Sequence, residues 1–289
     1  MKILITGIDG MIGHKIAQSL SQDFYVIGST RKNIKPLDLG IEDCKLVKHD
    51  FLIDGTEFLL DNISPDVIIN CVGITIRRGV NINISNTKLI NSDLPHIINN
   101  WVEKNNKKLI HFSSDCVFDG KHGNYLDHSK TNAQDIYGIT KSKGEINGKK
   151  SLTIRCSIIG REIYNYTELF EWLYSMKNKS IEGYKNVIYS GVTSNWMGNI
   201  VKDILKNNIE LSGIYNISSI PISKYDLLVK LSKAFNLGVN ITCNTNIKSN
   251  KVLISKKFTE ITGVNPPSWD DLIIDFKQDS DKYSLIYKT

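Results

Sequence analysis

The chain has 289 residues, 36 Lys and Arg against 30 Asp and Glu for a formal net charge of +6, and 41% hydrophobic residues. With 20 Gly and 6 Pro it is far from a collagen-like composition, and its apolar content sets it apart from disordered chains. A chain of this length buries a substantial core without staples, and the five widely spaced cysteines, with no C-x-x-C pair, read as reduced thiols.

In chain order, residues 2–6, 24–28, 45–49, 67–71, 108–113 and 152–156 read as short β-rich runs bounded by turn residues. Between them, 11–20, 56–62, 87–105 and 135–148 carry helical spacing. The alternation predicts an α/β fold of the Rossmann type, a doubly wound parallel sheet with helices on both faces, because parallel strands need crossovers and the crossovers cover the sheet. After Gly160 the rhythm changes: 167–177, 195–206 and 224–236 read as helices, and 186–190 and 213–217 as short strands. The expected division is a nucleotide-binding core over 1–160 with returning segments at about 186–218, and a smaller substrate-binding lobe from 161–185 and 219–289. The Lys/Asp-rich tail after Pro266-Pro267 is expected to fray.

Gly7, Gly10 and Gly13 lie between the first strand and the first helix. Glycines there permit a tight turn, a close approach of backbone to a pyrophosphate and close packing of helix on strand, and the anion then sits on the helix N-terminus beside Met11 and Ile12. The second strand ends in Ser29, Thr30, Arg31 and Lys32, where an acidic residue would select NAD by binding the ribose 2′-hydroxyl. Two cations favour a 2′-phosphate instead, so NADPH is the expected cofactor, ahead of NADH.

Tyr137 and Lys141 stand four residues apart on a helix and share one face. A lysine so placed is expected to lower the tyrosine pKa and make it a general acid near neutrality. Ser113 and Ser114 end the fifth strand, where α/β sheets bind ligands.

The glycine spacing resembles that of the short-chain dehydrogenase/reductase superfamily. The segments S-S-D-C-V-F-D-G, Y-G-I-T-K-S-K-G-E, T-I-R-C-S-I-I-G and Y-S-G-V-T-S resemble the dTDP-4-dehydrorhamnose reductase family of extended short-chain reductases, most strongly over residues 1–160. The resemblance implies a catalytic set of Ser114, Tyr137 and Lys141, with the last two also touching the cofactor. It implies adenine contacts from Asp50 and Phe51, and a cofactor-lining run at Cys71, Val72 and Gly73. The activity it implies is NAD(P)H-dependent reduction of the 4-keto group of a nucleotide-linked 6-deoxysugar.

Candidate substrate-binding residues are Ser114, Cys116, Val117, Phe118, Ile158 and Arg161. Cys116 stands where the family usually has tyrosine, and Ile158 and Gly160 fall where it has aromatics, which points to a hexulose other than the rhamnose precursor. Arg161, with Arg77, Arg78 or Lys185, is a candidate for holding the substrate diphosphate. The Asp-Glu pair of a 4,6-dehydratase is absent, since Asp115 is followed by Cys116. A sugar-nucleotide epimerase and a non-catalytic NADP-binding regulatory subunit are the alternatives.

The basic pairs Lys107-Lys108, Lys149-Lys150 and Lys256-Lys257 are scattered, so no nucleic-acid partner is expected. No stretch approaches the roughly 18 apolar residues of a membrane span, the first strand begins too early for a signal peptide, and the six His show no metal-ligand spacing. A cytoplasmic location without membrane association is therefore expected, with a homodimer as the expectation by resemblance.

Overall fold

The computed structural model describes residues 1–75 and 83–287. Its first half runs β1 (Lys2–Thr6), α1 (Met11–Leu20), β2 (Tyr25–Thr30), β3 (Lys45–Lys48), α2 (Thr56–Ile63), β4 (Val67–Asn70), α3 (Ile84–Lys88), α4 (Leu94–Lys104), β5 (Lys108–Phe112), α5 (Ile136–Lys143) and β6 (Ser151–Arg155). The second half adds β7 (Ile158–Ile159), α6 (Leu169–Ser175), β8 (Ser180–Tyr189), β9 (Val192–Thr193), α7 (Ser194–Lys206), β10 (Gly213–Asn216), β11 (Ile222–Ser223), α8 (Lys224–Ala234), β12 (Asn240–Asn250), α9 (Lys256–Thr262) and α10 (Trp269–Lys282).

Successive strand residues point to opposite faces, and that period builds the layers. Ile3 and Ile5 of β1 enter one core with Ile16, Ala17 and Leu20 of α1 and Met197, Val201 and Ile204 of α7. Leu4 enters the other core, with Leu59 and Leu60 of α2 and Leu94, Ile98 and Trp101 of α4. Strands covered on both faces must be apolar throughout, which is why they are legible as continuous runs.

The seven-stranded sheet has the order β10-β6-β5-β4-β1-β2-β3 and is parallel at every pairing. The fold is thus the expected Rossmann type. Progress along the sheet reverses between β1 and β4, and such a reversal opens a crevice at the carboxyl ends of the strands, where ligands bind in open α/β sheets.

The second lobe is a three-stranded sheet of order β11-β8-β12, packed on α6, α8 and α10 through Phe170, Leu227, Leu231, Trp269 and Phe276. It departs from the sequence expectation in three places. Gly213–Asn216 does return to the main sheet beside β6, but residues 186–189 form the end of β8 and belong to the small sheet. The long β12 carries no apolar alternation, only an exposed Asn- and Thr-rich face, and so gave no strand signal. The tail does not fray: α10 buries Trp269, Leu272, Ile273 and Phe276, and Tyr287 packs edge-on against His14 of α1. Among the described residues no helix is long and apolar enough to cross a membrane.

Candidate active site

The nucleotide half of the cleft is made largely of backbone. Gly7 has φ +67°, in the region that favours glycine, and a Cβ on Gly13 would stand 2.2 Å from the Gly7 carbonyl oxygen, so the turn closes only with glycine at both positions. Gly10 caps α1 with no side chain bonded over the helix end, which leaves first-turn amides for an anion. Gly7, Gly10, Ser29, Thr30, Arg31, Lys32, Asp50, Phe51, Cys71, Val72 and Gly73 line one cavity of about 190 Å³, and Met11 and Ile12 line its continuation toward Tyr137 and Lys141.

Two buried polar atoms in this wall, Ser29 Oγ and His49 Nε2, have no hydrogen-bond partner among the described residues. Orphaned polar atoms beside a glycine cradle fit a polar dinucleotide, which would supply the missing partners. The two expected cations differ in availability. Arg31 is exposed and has no ion pair among the described residues, whereas Lys32 reaches across to Asp9 at 3.0 Å and lies 3.3 Å over the ring of Tyr164.

A buried polar chain sets the loop after β4. Thr6 Oγ1 donates to Asn70 Oδ1 at 2.7 Å, the same oxygen accepts from the Val72 amide, and Asn70 Nδ2 meets His111 Nδ1 at 3.2 Å. Asn91 then clamps Ile74 through both its amide and its carbonyl, at 2.8 and 2.9 Å, and also reaches Thr140 Oγ1 of α5. Asn91 sits in a π-helical turn, Leu89–Asp93, between α3 and α4, where the sequence pattern predicts one unbroken helix. Polar asparagines inside apolar elements were the available signal for this clamp, and sequence reasoning missed it.

Ser114 ends the segment after β5 and caps a short 3-10 turn, Asp115–Val117. Its Oγ accepts from the Cys116 amide at 3.1 Å, donates to Asp115 Oδ1 at 3.2 Å and lies near the Tyr137 phenol. Ser113 Oγ is instead committed to Glu145 at 2.7 Å, the carboxylate that also holds Arg155 through two bonds. Of the two serines, then, Ser114 meets the tyrosine.

Burial pushes the Tyr137 phenol above its ordinary range; Cys116 adds to the rise, while the Ser114 bond opposes it. Lys141 is buried, donates to the Phe112 carbonyl at 2.5 Å and is pushed down to about 8 by burial. Lys141 is not among the groups that lower the Tyr137 pKa here, and the part of the expectation that needs the cofactor's positive ring is a matter for the loaded protein. In this protein the ammonium is held on a strand carbonyl and the phenol keeps its proton at neutrality, which is the state an acid needs.

Other expectations separate here. Val117 and Phe118 are fully buried with Tyr125 and Leu253, Phe118 stacking on Tyr125 at 4.0 Å, so neither is available to a substrate. Ile158 pairs with Val192 and packs on the core below the sheet. Arg161 is 3% exposed and bonded to Glu171 at 2.7 Å and Ser280 at 2.9 Å among the rings of Phe170, Tyr174 and Tyr287. It joins α10 to α6 and is not free to hold a diphosphate. Lys185 is exposed and spent on Asp226 at 2.8 Å, while Arg77 and Arg78 lie outside the described residues. Cys116 stays at the site, half-buried beside Tyr137 and bonded to Lys251. Glu162, Tyr164, Asn165 and Glu168 also line the cleft, brought from a loop that carries no periodic signal.

A parallel sheet of this strand order, opening on a nucleotide cleft with a tyrosine and a lysine one helical turn apart at its rim, defines the class as the short-chain dehydrogenase/reductase fold. Within that class the family profile of the RmlD substrate binding domain matches residues 1–179, and the chain belongs to that extended branch.

Among curated proteins, the chain is 25% identical over 241 residues to the dTDP-4-dehydrorhamnose reductase of Aggregatibacter actinomycetemcomitans, spanning 80% of this chain and 78% of that one. It is 25% identical over 299 residues to the spore coat polysaccharide biosynthesis protein SpsK of Bacillus subtilis, at 96% and 97% coverage. Methionine adenosyltransferase 2 subunit beta of Xenopus tropicalis is 23% identical over 253 residues, at 82% and 72%. The crystal structure of a dTDP-4-dehydrorhamnose reductase from Bacillus anthracis in complex with NADP superposes with a TM-score of 0.75 at 17% identity, covering 96% of this chain and 99% of that one.

Proposed function

We propose that this protein reduces the 4-keto group of a nucleotide-activated 4-keto-6-deoxyhexose with NADPH, supplying a deoxysugar for a surface polysaccharide or glycoconjugate in the cytoplasm. The observation that carries the reading is the placement of Tyr137 and the buried Lys141 on one wall of the dinucleotide cleft, with Ser114 near enough to the phenol to act on its proton. The family match and the named reductases among the relatives support the reaction class. Arg31 at the end of β2 supports NADPH over NADH, because no carboxylate of that strand end would repel a 2′-phosphate.

When bound, the reduced nicotinamide supplies the two electrons. The residues of this chain do the rest. Tyr137, whose phenol burial keeps protonated, donates its proton to the oxygen of the keto group as negative charge develops there. Ser114 holds the same oxygen by a hydrogen bond in a site from which water is largely excluded. Lys141, fixed on the Phe112 carbonyl, places a cation behind the phenol and against the cofactor wall.

The test is oxidation of NADPH with a panel of nucleotide-linked 4-keto-6-deoxysugars, with NADH in parallel and Tyr137→Phe as the control. Tyr137→Phe is expected to bind NADPH as the wild type does and to lose turnover by on the order of a hundredfold or more. Turnover retained in that variant overturns the assignment. Cofactor that binds but is never consumed across the panel overturns the reductase reading.

A further inference from the structure

Two lysines of the second lobe stand near the catalytic serine turn, whereas Arg161 and Lys185 are committed elsewhere. Lys224 and Lys251 each directly follow a residue paired with Ile188, Ser223 from β11 on one side and Asn250 from β12 on the other. The two lysines thus leave the small sheet on either side of β8, next to the level of Ile188. Lys224 Nζ lies 3.6 Å over the ring of Tyr189, which is itself bonded to Ser157. The Lys251 stem passes close to Gly120, where a Cβ would stand 3.1 Å from the lysine Cγ, and the Asn250 amide before it donates to the Gly120 carbonyl at 2.7 Å, which sets Lys251 beside the Cys116 turn.

The charges here do not balance. Both lysines are half-buried, and neither has a carboxylate within 4.0 Å among the described residues. The anionic group they share at longer range is Asp115, and the Cys116 thiol beside it is kept neutral by burial, its pKa pushed up to about 11. Burial works against the charge of Lys251, yet its pKa stands above the ordinary value, with two carboxylates, Asp115 and Asp135, among the groups that favour the charge. Lys224 has Asp115 as its carboxylate and is pushed down to about 8 by burial. Lys224 is thus the cation short of counter-charge, and a partly desolvated cation in that state is stabilised when something anionic joins it.

We propose that Lys224 and Lys251 form the site for an anionic oxygen group of the substrate, next to Ser114 and Cys116. The inference rests on the sugar-nucleotide reading above and names the cations that reading lacks. The group is either the glycosyl diphosphate or a carboxylate on the sugar. Both lie within one sugar ring of the reacting carbonyl, and Asp115 and Cys116, on which the two lysines act, directly follow Ser114 in the chain.

The experiment uses the full chain saturated with NADP, as wild type, as the Lys224→Gln/Lys251→Gln double variant and as Lys224→Arg/Lys251→Arg. Binding of inorganic diphosphate, thymidine diphosphate, uridine diphosphate and glucuronate is measured by calorimetry. Wild type is expected to bind a diphosphate probe, with affinity falling at least about tenfold in the Gln variant, the loss of one charge-assisted hydrogen bond or more, and recovering in the Arg variant. The same pattern with glucuronate alone identifies a sugar carboxylate as the anion. No anion binding by wild type, or equal binding by wild type and the Gln variant, overturns the inference.

NADPH oxidation by the same proteins reports separately on the reductase reading. A Gln variant whose KM for an accepted ketosugar is unchanged overturns the role of the lysines and leaves the reductase standing. Lysine-dependent anion binding without turnover on any sugar overturns the reductase and leaves the anion site.

Discussion

The two halves of the cleft are built on different terms. The nucleotide half is made of glycine backbone, a bare helix end and strand termini that are consecutive along the chain, so its shape follows from local conformation. The substrate half is assembled from side chains of Ser113, α5 and the 162–168 loop. The first tolerates little change within a family because backbone geometry admits few solutions. The second is free to vary, since a cation for an anionic substrate need only arrive at the right place from some segment.

Arg161 offers the sharpest way to break that comparison, since sequence reasoning put it in the substrate half and the structure puts it in a lobe core. Arg161→Met leaves the Glu171 carboxyl buried and unpaired, and breaking such a pair costs about 3–5 kcal/mol, read as a lowered denaturation midpoint. Glu171 already has its pKa raised by burial against the pull of Arg161, so the loss shrinks at low pH, where its carboxyl protonates. A second change, Glu171→Leu, is expected to recover most of the stability. A folded Arg161→Met protein with an unchanged midpoint and a raised substrate KM would return the residue to the substrate site.

Lys141 tests whether the rim of the cleft holds stability in reserve for function. Its pKa falls from the ordinary 10.5 to about 8 on burial. Below about pH 8 the ammonium is charged in both folded and unfolded states, and the burial cost is present in full. Between 8 and 10.5 the folded state loses its proton first, the unfolded state binds more protons, and the wild type gains stability as pH rises. Lys141→Met is thus expected to be inactive yet more stable than wild type near neutrality, by on the order of 1–3 kcal/mol without cofactor. Thermal denaturation across that window should show the gap closing, and a gap that stays constant with pH would refute the burial cost.

The smallest expected effect falls on the nucleotide half. Arg31 is exposed and unpaired among the described residues, so Arg31→Ala is expected to narrow the preference for NADPH over NADH by on the order of tenfold, one charge-assisted hydrogen bond, while leaving stability unchanged. Lys32, already engaged with Asp9 and Tyr164, is expected to contribute less. Equal NADPH and NADH affinities in both wild type and variant would remove Arg31 from the cofactor site.

Much of the core was legible because its signals are short-range. The apolar runs of β1, β4 and β5 reflect strands covered on both faces, the glycine spacing reflects a turn no Cβ fits, and the four-residue step from Tyr137 to Lys141 is one helical turn. The small lobe was legible only in part. An exposed, Asn-rich β12 has no pattern to read, and the tail looked polar because α10 shows only a stripe of Trp269, Leu272, Ile273 and Phe276 to its lobe.

The sequence by itself determined the Rossmann order, the place of the glycine turn and the pairing of Tyr137 with Lys141, all of which depend on neighbours within one or two elements. Only the tertiary structure decided that Ser113 is committed to Glu145, that Arg161 is a buried staple, and that His14 of the first helix is bonded to Tyr287 at the other end of the chain. These depend on contacts between segments far apart in the chain. A charged residue looks the same in sequence whether folding buries it against a partner, leaves it in water or aims it at a ligand, because its energy is set by the groups brought around it.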